Sequence, residues 1–116
     1  MVVARQWLET NGYAVVDRSR TMPFDFDATR DGISLKVEVK GTTADSVDAI
    51  FMTKNEVDLH RAERGRTALV LVSAIRVTNE RGSVLATGGV PTALVAWNID
   101  EWDVSPMAYR VRRPDH

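Results

Sequence analysis

The run Leu35-Lys36-Val37-Glu38-Val39-Lys40 alternates apolar and charged residues without a break. Successive side chains of a strand point to opposite faces. Leu35, Val37 and Val39 therefore line one face, and Lys36, Glu38 and Lys40 the other. Upstream, Phe24-Asp25-Phe26-Asp27 alternates as well, which sets Asp25 and Asp27 on a shared face. Arg30-Asp31-Gly32 supplies turn residues between the two runs, so the pair reads as a β-hairpin with a slightly long loop. Such a hairpin brings an aspartate of one strand beside a glutamate and a lysine of the next.

Two carboxylates on one sheet face suit a hard divalent cation such as Mg²⁺, which prefers oxygen ligands and keeps several waters. A nearby ammonium can stabilise developing charge or orient an attacking water. The cation polarises a phosphoryl oxygen and makes hydroxide available near neutral pH. These are the parts required to hydrolyse a phosphodiester. Taken alone, Glu38-x-Lys40 on a wet strand face is ordinary, because opposite charges across a hairpin give modest support to many sheets. Residues elsewhere in the chain have to decide between the two readings.

The 116 residues suit one domain, 1–116, and 44% apolar with 27% charged content excludes wholesale disorder. There is no cysteine, so disulfides and thiolate metal sites are excluded, and a cytoplasmic home is expected. The longest apolar stretch, Ala68 to Ile75, is too short to span a bilayer, and no membrane partner is expected. Arg5 and Glu9 interrupt any apolar leader at the N-terminus. A net charge of −1 gives no general attraction to a phosphate backbone. Arg61, Arg64, Arg66, Arg76 and Arg81 nevertheless gather in the middle of the chain, while acids weigh toward residues 25–58. A local basic surface beside an acidic pocket and a dispersed solubilising charge are both compatible with that distribution.

In chain order, residues 2–11 read as a helix on the spacing of Val3, Trp7 and Leu8, with Asn11-Gly12 as its stop. Tyr13–Val16 is a short strand, and the hairpin follows. Gly41-Thr42-Thr43 leaves the second hairpin strand; the glycine suits a close backbone approach, a bulge or a plain strand end. Residues 49–52 read as a short strand. Thr53-Lys54-Asn55-Glu56 has the capping-box pattern, starting a helix that runs to about Arg64 and stops at Gly65. On that helix His60 reads as a surface or half-buried residue and not as a ligand. Thr67–Val77 is apolar enough to be buried on both faces. With residues 49–52 and the helix it forms a crossover unit. Asn79–Pro91 is loosely composed, Thr92–Trp97 is a further strand, Asn98–Glu101 a turn, and Met107–Val111 a last strand.

Asp-(spacer)-Glu-x-Lys on adjacent strands resembles the PD-(D/E)XK nuclease superfamily. The longer pattern Phe-Asp-Phe … Val-Glu-Val-Lys-Gly-Thr-Thr … Phe-Met-Thr-Lys-Asn-Glu resembles the domain family DUF3883, found at the C-terminus of the plant protein NO VEIN and in bacterial restriction-like proteins. The resemblance extends from residue 2 to about residue 77. It implies an α/β fold with a restriction-endonuclease-like αβββαβ core, a mixed central sheet flanked by helices. It implies a Mg²⁺- or Mn²⁺-dependent nuclease, in a restriction or defence setting, acting on nucleic acid with DNA as the expected partner. Asp25, Glu38 and Lys40 would be catalytic. Asp25, Glu38 and the Val39 backbone carbonyl would hold the metal, with Asp27 as an alternative ligand or a support. Superfamily members often dimerise, so a homodimer is compatible with the resemblance. They also often carry an acid on the first helix; here that place falls at or before Met1, and Glu9 sits near the helix end. Either the chain is part of a longer protein or the acid is missing. The alternative function is an inactive nuclease-like fold that binds nucleic acid or protein.

Overall fold

The computed structural model describes residues 2–114. Its elements are α1 (Val2–Thr10), β1 (Ala14–Asp17), β2 (Phe26–Arg30), β3 (Ile33–Gly41), α2 (Lys54–Ala62), β4 (Thr67–Glu80), β5 (Ser83–Val95) and a 3-10 turn at Ile99–Glu101. The strands form one five-stranded sheet in sequence order. β3 and β4 run parallel, joined through α2, and the other three pairings are antiparallel. The chain is therefore α/β with a mixed sheet.

β3 is the central strand, and its alternation sorts the molecule into two layers. On one face Leu35 and Val37 pack with Ala68, Val70 and Val72 of β4 and with Ala4 and Leu8 of α1. On the other face Leu69 and Leu71 of β4 pack with Trp97, Ile99 and Val57 of α2. Residues 67–72 are consequently buried on both sides, as their continuous apolar character predicts. α1 buries Ala4 and Leu8, four residues apart on one stripe, and ends before Gly12 at φ +88°, a conformation that suits glycine. α2 begins with both halves of its capping box. The Glu56 N–H donates to Thr53 Oγ1 at 3.2 Å, and the Thr53 N–H donates to Glu56 Oε1 at 2.9 Å.

Several expectations need correction. The hairpin loop is tight, not long. Asp31 and Gly32 form it alone, with φ of +53° and +76°, and Arg30 pairs with Ile33. Positive φ at both central residues matches the right-handed twist of the flanking strands. Residues 49–52 form no strand; Ile50 and Met52 pack against the Leu69–Leu71 cluster from a loop. The parallel crossover accordingly starts from β3. Residues 107–111 form no strand either, and Met107, Tyr109 and Val111 are exposed.

The loosely composed stretch 79–91 is mostly strand. β4 and β5 form one long hairpin that turns at Arg81-Gly82, again with two positive φ angles. Gly88 and Gly89 lie inside β5, not in a loop. Gly89 has φ +111°, and a Cβ there would stand 2.5 Å from Val72 Cγ1. With Ala74 at φ +54° opposite them, these glycines mark a kink in the hairpin. Composition cannot separate a kinked strand from a loop, because both require residues that tolerate positive φ. Val77, Val84 and Leu85 beyond the kink are exposed.

Candidate functional site

Backbone pairing explains why Asp25 faces β3. The Lys36 N–H donates to the Arg66 carbonyl at 2.9 Å, so even-numbered residues of β3 turn their polar backbone toward β4. The odd-numbered residues turn theirs toward β2. β2 is in register with β3 up to Phe26 opposite Val37. At Asp25 the pairing slips by one residue, and the Asp25 N–H also donates to the Val37 carbonyl, at 2.8 Å. Past that slip the Val39 N–H has no strand opposite it. The Asp25 carboxylate takes the place of the strand, with Oδ2 accepting from Val39 N at 2.8 Å. Strand geometry directs the Val39 carbonyl to the same side. The slip also moves Phe24 away from the α1 layer that holds Phe26; its ring lies 5.6 Å from Lys36 Nζ.

Glu38 and Lys40 lie on the α2 face of β3, beside Leu69 and Leu71 in register. Glu38 is only 4% exposed. Its Oε1 is 3.6 Å from Lys40 Nζ, and among the described residues its buried Oε2 has no hydrogen-bond partner. Burial pushes the Glu38 carboxyl up to about 8, the neighbouring carboxylates of Asp25 and Glu56 push the same way, and the Lys40 ammonium opposes them. Lys40 Nζ reaches across to Glu56 Oε1 at 3.0 Å. Burial would raise Glu56, but its bonds from the Thr53 N–H and the Lys40 ammonium outweigh that and hold it below its usual range. The four groups form a partly buried carboxylate–ammonium cluster between β3 and the start of α2.

Asp25 is thus bound to the Val39 N–H, between Glu38 and Lys40 in the sequence of β3, and Glu38 lies 3.6 Å from the Lys40 ammonium. Asp27 does not join them: its Oδ2 accepts from Arg18 Nε at 2.8 Å, while Lys36 opposite it pairs with Glu63. Glu9 pairs with Arg5 at 3.2 Å on the exposed side of α1, away from the cluster. The third carboxylate comes from α2, through Glu56. The signal for it was the capping box itself, because a helix that starts just after the site strand and carries its acid in the first turn can aim that acid back at the strand. Gly41 closes β3 against Ile75, whose Cδ1 would lie 2.7 Å from a Cβ at that position.

His60 is neither at the surface nor half-buried but fully buried. Its Nδ1 accepts from Trp97 Nε1 at 2.9 Å, and the rings meet edge to face. Indole nitrogen only donates, so the imidazole proton sits on Nε2, which lacks a partner among the described residues. Burial holds the His60 pKa below its usual value; Glu56 opposes this and the Lys40 charge adds to it. Arg61 Nε bonds Asp100 at 3.1 Å, and Arg64 pairs with the same carboxylate. Those arginines tie α2 to the 3-10 turn instead of forming an open basic surface.

Two carboxylates and a strand carbonyl fit a cation that retains water. Among the described residues no three His, Cys, Asp or Glu side chains group closely enough to chelate a metal by themselves. Mg²⁺ accommodates such a set by completing its shell with water and substrate oxygens. No helix among the described residues is long and apolar enough to cross a membrane.

No curated protein and no solved structure matches the chain. The family described as protein NO VEIN, C-terminal, matches residues 1–84, a span that holds every member of the cluster and ends just past the β4–β5 turn. The chain belongs to the NO VEIN C-terminal domain family.

Proposed function

We propose that the chain is a Mg²⁺- or Mn²⁺-dependent nuclease module of the PD-(D/E)XK type, hydrolysing phosphodiester bonds in nucleic acid, with DNA the first substrate to test. Glu38 carries this reading. It is a carboxyl group nearly excluded from water, with one oxygen unpartnered among the described residues, set beside an ammonium and in the field of Asp25. Buried polar atoms are nearly always satisfied, and the exceptions concentrate where chemistry needs them.

Asp25, Glu38 and the Val39 carbonyl would hold the cation. When bound, it supplies Lewis-acid polarisation of the phosphate and an activated water. Lys40 places its ammonium where charge develops on the phosphate. Glu56 positions that ammonium, and the capping box fixes Glu56 in turn. Glu38 must release its proton to act as a ligand, so metal affinity rises as pH climbs toward 8.

The test is cleavage of single- and double-stranded DNA and RNA with Mg²⁺ or Mn²⁺. Wild type should cut at least one of them. Lys40→Ala should lose at least about 100-fold in rate, the usual cost of deleting a group that stabilises transition-state charge, while keeping its thermal response to metal. Equal cutting by wild type and Lys40→Ala, or no cutting by wild type with either ion, would refute the assignment.

A further inference from the structure

A groove of about 400 Å³ opens beside Lys40, lined by Thr42, Val47, Ile50 and Phe51. That volume lies within the range of small-molecule sites. Its walls are anchored to β4. The Thr42 N–H donates to the Val72 carbonyl at 2.9 Å, the Ile75 N–H to the Thr42 carbonyl at 3.1 Å, and the Ala74 N–H to the Ala44 carbonyl at 2.7 Å. Val47, Ile50 and Met52 pack inward on the Leu69–Leu71 cluster. Phe51, held between two inward-packed neighbours, is turned out and is 75% exposed. A lone exposed hydrophobic residue needs no explanation. This one is an aromatic ring on a fixed loop, lining the same groove as the ammonium of the carboxylate cluster.

The lining decides what fits. Among the described residues Lys40 is the one cation lining the groove, and it is already paired with Glu38 and Glu56. Asp45 and Asp48 belong to the same loop. Such a groove does not track a row of phosphates, which requires several free cations. It does suit a single flat, apolar-faced ring laid against Phe51. Base–aromatic stacking needs only an exposed π-face and tolerates any base. Arg18 and Arg20 line a second groove, and the Arg18 backbone N–H donates to the Asp25 carbonyl at 2.8 Å.

We propose that the groove beside Lys40 is a nucleobase subsite with Phe51 as its stacking platform, so that the substrate is single-stranded nucleic acid or an unpaired nucleotide. This rests on the nuclease reading for its place beside the scissile phosphate. Its binding test does not. A base paired and stacked in a duplex hides both ring faces, whereas an unpaired one can lay its face on Phe51.

The experiment is fluorescence anisotropy with labelled oligo-dT, oligo-U and a duplex of equal length, in EDTA, so that neither metal nor cleavage contributes. Wild type should bind a single strand more tightly than the duplex. Phe51→Ala should weaken single-strand binding about 5- to 100-fold, the range that stacking of one base implies, and Phe51→Trp should restore it. The melting temperature of Phe51→Ala should match wild type, because the ring is exposed. The oligo-dT and oligo-U arms separate DNA from RNA. Unchanged single-strand affinity in Phe51→Ala, or equal binding of single strand and duplex, would overturn the subsite. Loss of the metal response or of cleavage, with the Phe51 effect intact, would overturn only the nuclease reading.

Discussion

Glu38→Gln should be more stable than wild type at pH 8 and above, in the absence of metal. The folded protein raises the Glu38 pKa from 4.5 to about 8, burial being the main cause. A group raised in this way favours the folded state fully below its unfolded pKa and loses that contribution as pH climbs through its folded one. Wild-type stability should therefore fall between about pH 5 and pH 8. Glutamine has the shape of the protonated acid and does not titrate, so the variant escapes the fall. One pKa unit corresponds to about 1.4 kcal/mol, and the gap at pH 8 should be on the order of a few kcal/mol. His60 also titrates abnormally but is present in each protein and largely cancels in the difference, whereas Glu56 interacts with Glu38 and contributes to it. Urea denaturation of both proteins from pH 5 to 9 measures it. Parallel profiles would mean that Glu38 ionises freely and is not the buried acid described.

The second large effect belongs to the α1-side core. Phe26 is 1% exposed and stands opposite Val37 in the β2–β3 register. Ala4, Ala28 and Ala68 belong to the same cluster. Their Cβ atoms move only with their backbones, so the space left by Phe26→Ala has little freedom to collapse. Lost burial and a persistent cavity together should cost about 3–5 kcal/mol, the usual range for a buried phenylalanine. The midpoint of urea denaturation should move accordingly. A loss below about 1.5 kcal/mol would show that Phe26 does not anchor the sheet to α1. Phe24, two residues earlier, is buried on the other side of the pairing slip and tests a different layer.

Much of this was legible in the chain, for identifiable reasons. The alternation of residues 35–40 fixes which side chains share a face, and the face that holds Glu38 and Lys40 is the one α2 covers. The capping box located the start of α2 to the residue, because it depends on two short-range hydrogen bonds. Position along the sheet was harder to read. Residues 49–52 are apolar at strand-like density, yet Ile50 and Met52 satisfy that character by packing from a loop. The glycines at 88 and 89 were unreadable as strand because their job is to kink it. Asp25 and Asp27 alternate identically in sequence, and only the one-residue slip in pairing sends Asp25 to Val39 and leaves Asp27 to Arg18. His60 read as a surface or half-buried residue because its partner, Trp97, lies 37 residues away in sequence.

The proposed metal site is tested most directly by the melting curve of the wild type in millimolar Mn²⁺. At about pH 8 and above, where Glu38 ionises, it and Asp25 repel each other, and a cation that binds only the folded protein would relieve that repulsion and raise apparent stability. A ligand at 100 times its dissociation constant adds about 2.7 kcal/mol. For a domain of this size that is a rise of several degrees. The rise should vanish in Asp25→Asn, where the amide oxygen can still accept from the Val39 N–H but the charge is gone, and in Glu38→Gln. A wild-type curve indifferent to Mg²⁺, Mn²⁺ and Ca²⁺ would leave the NO VEIN C-terminal fold standing and remove the metal from it.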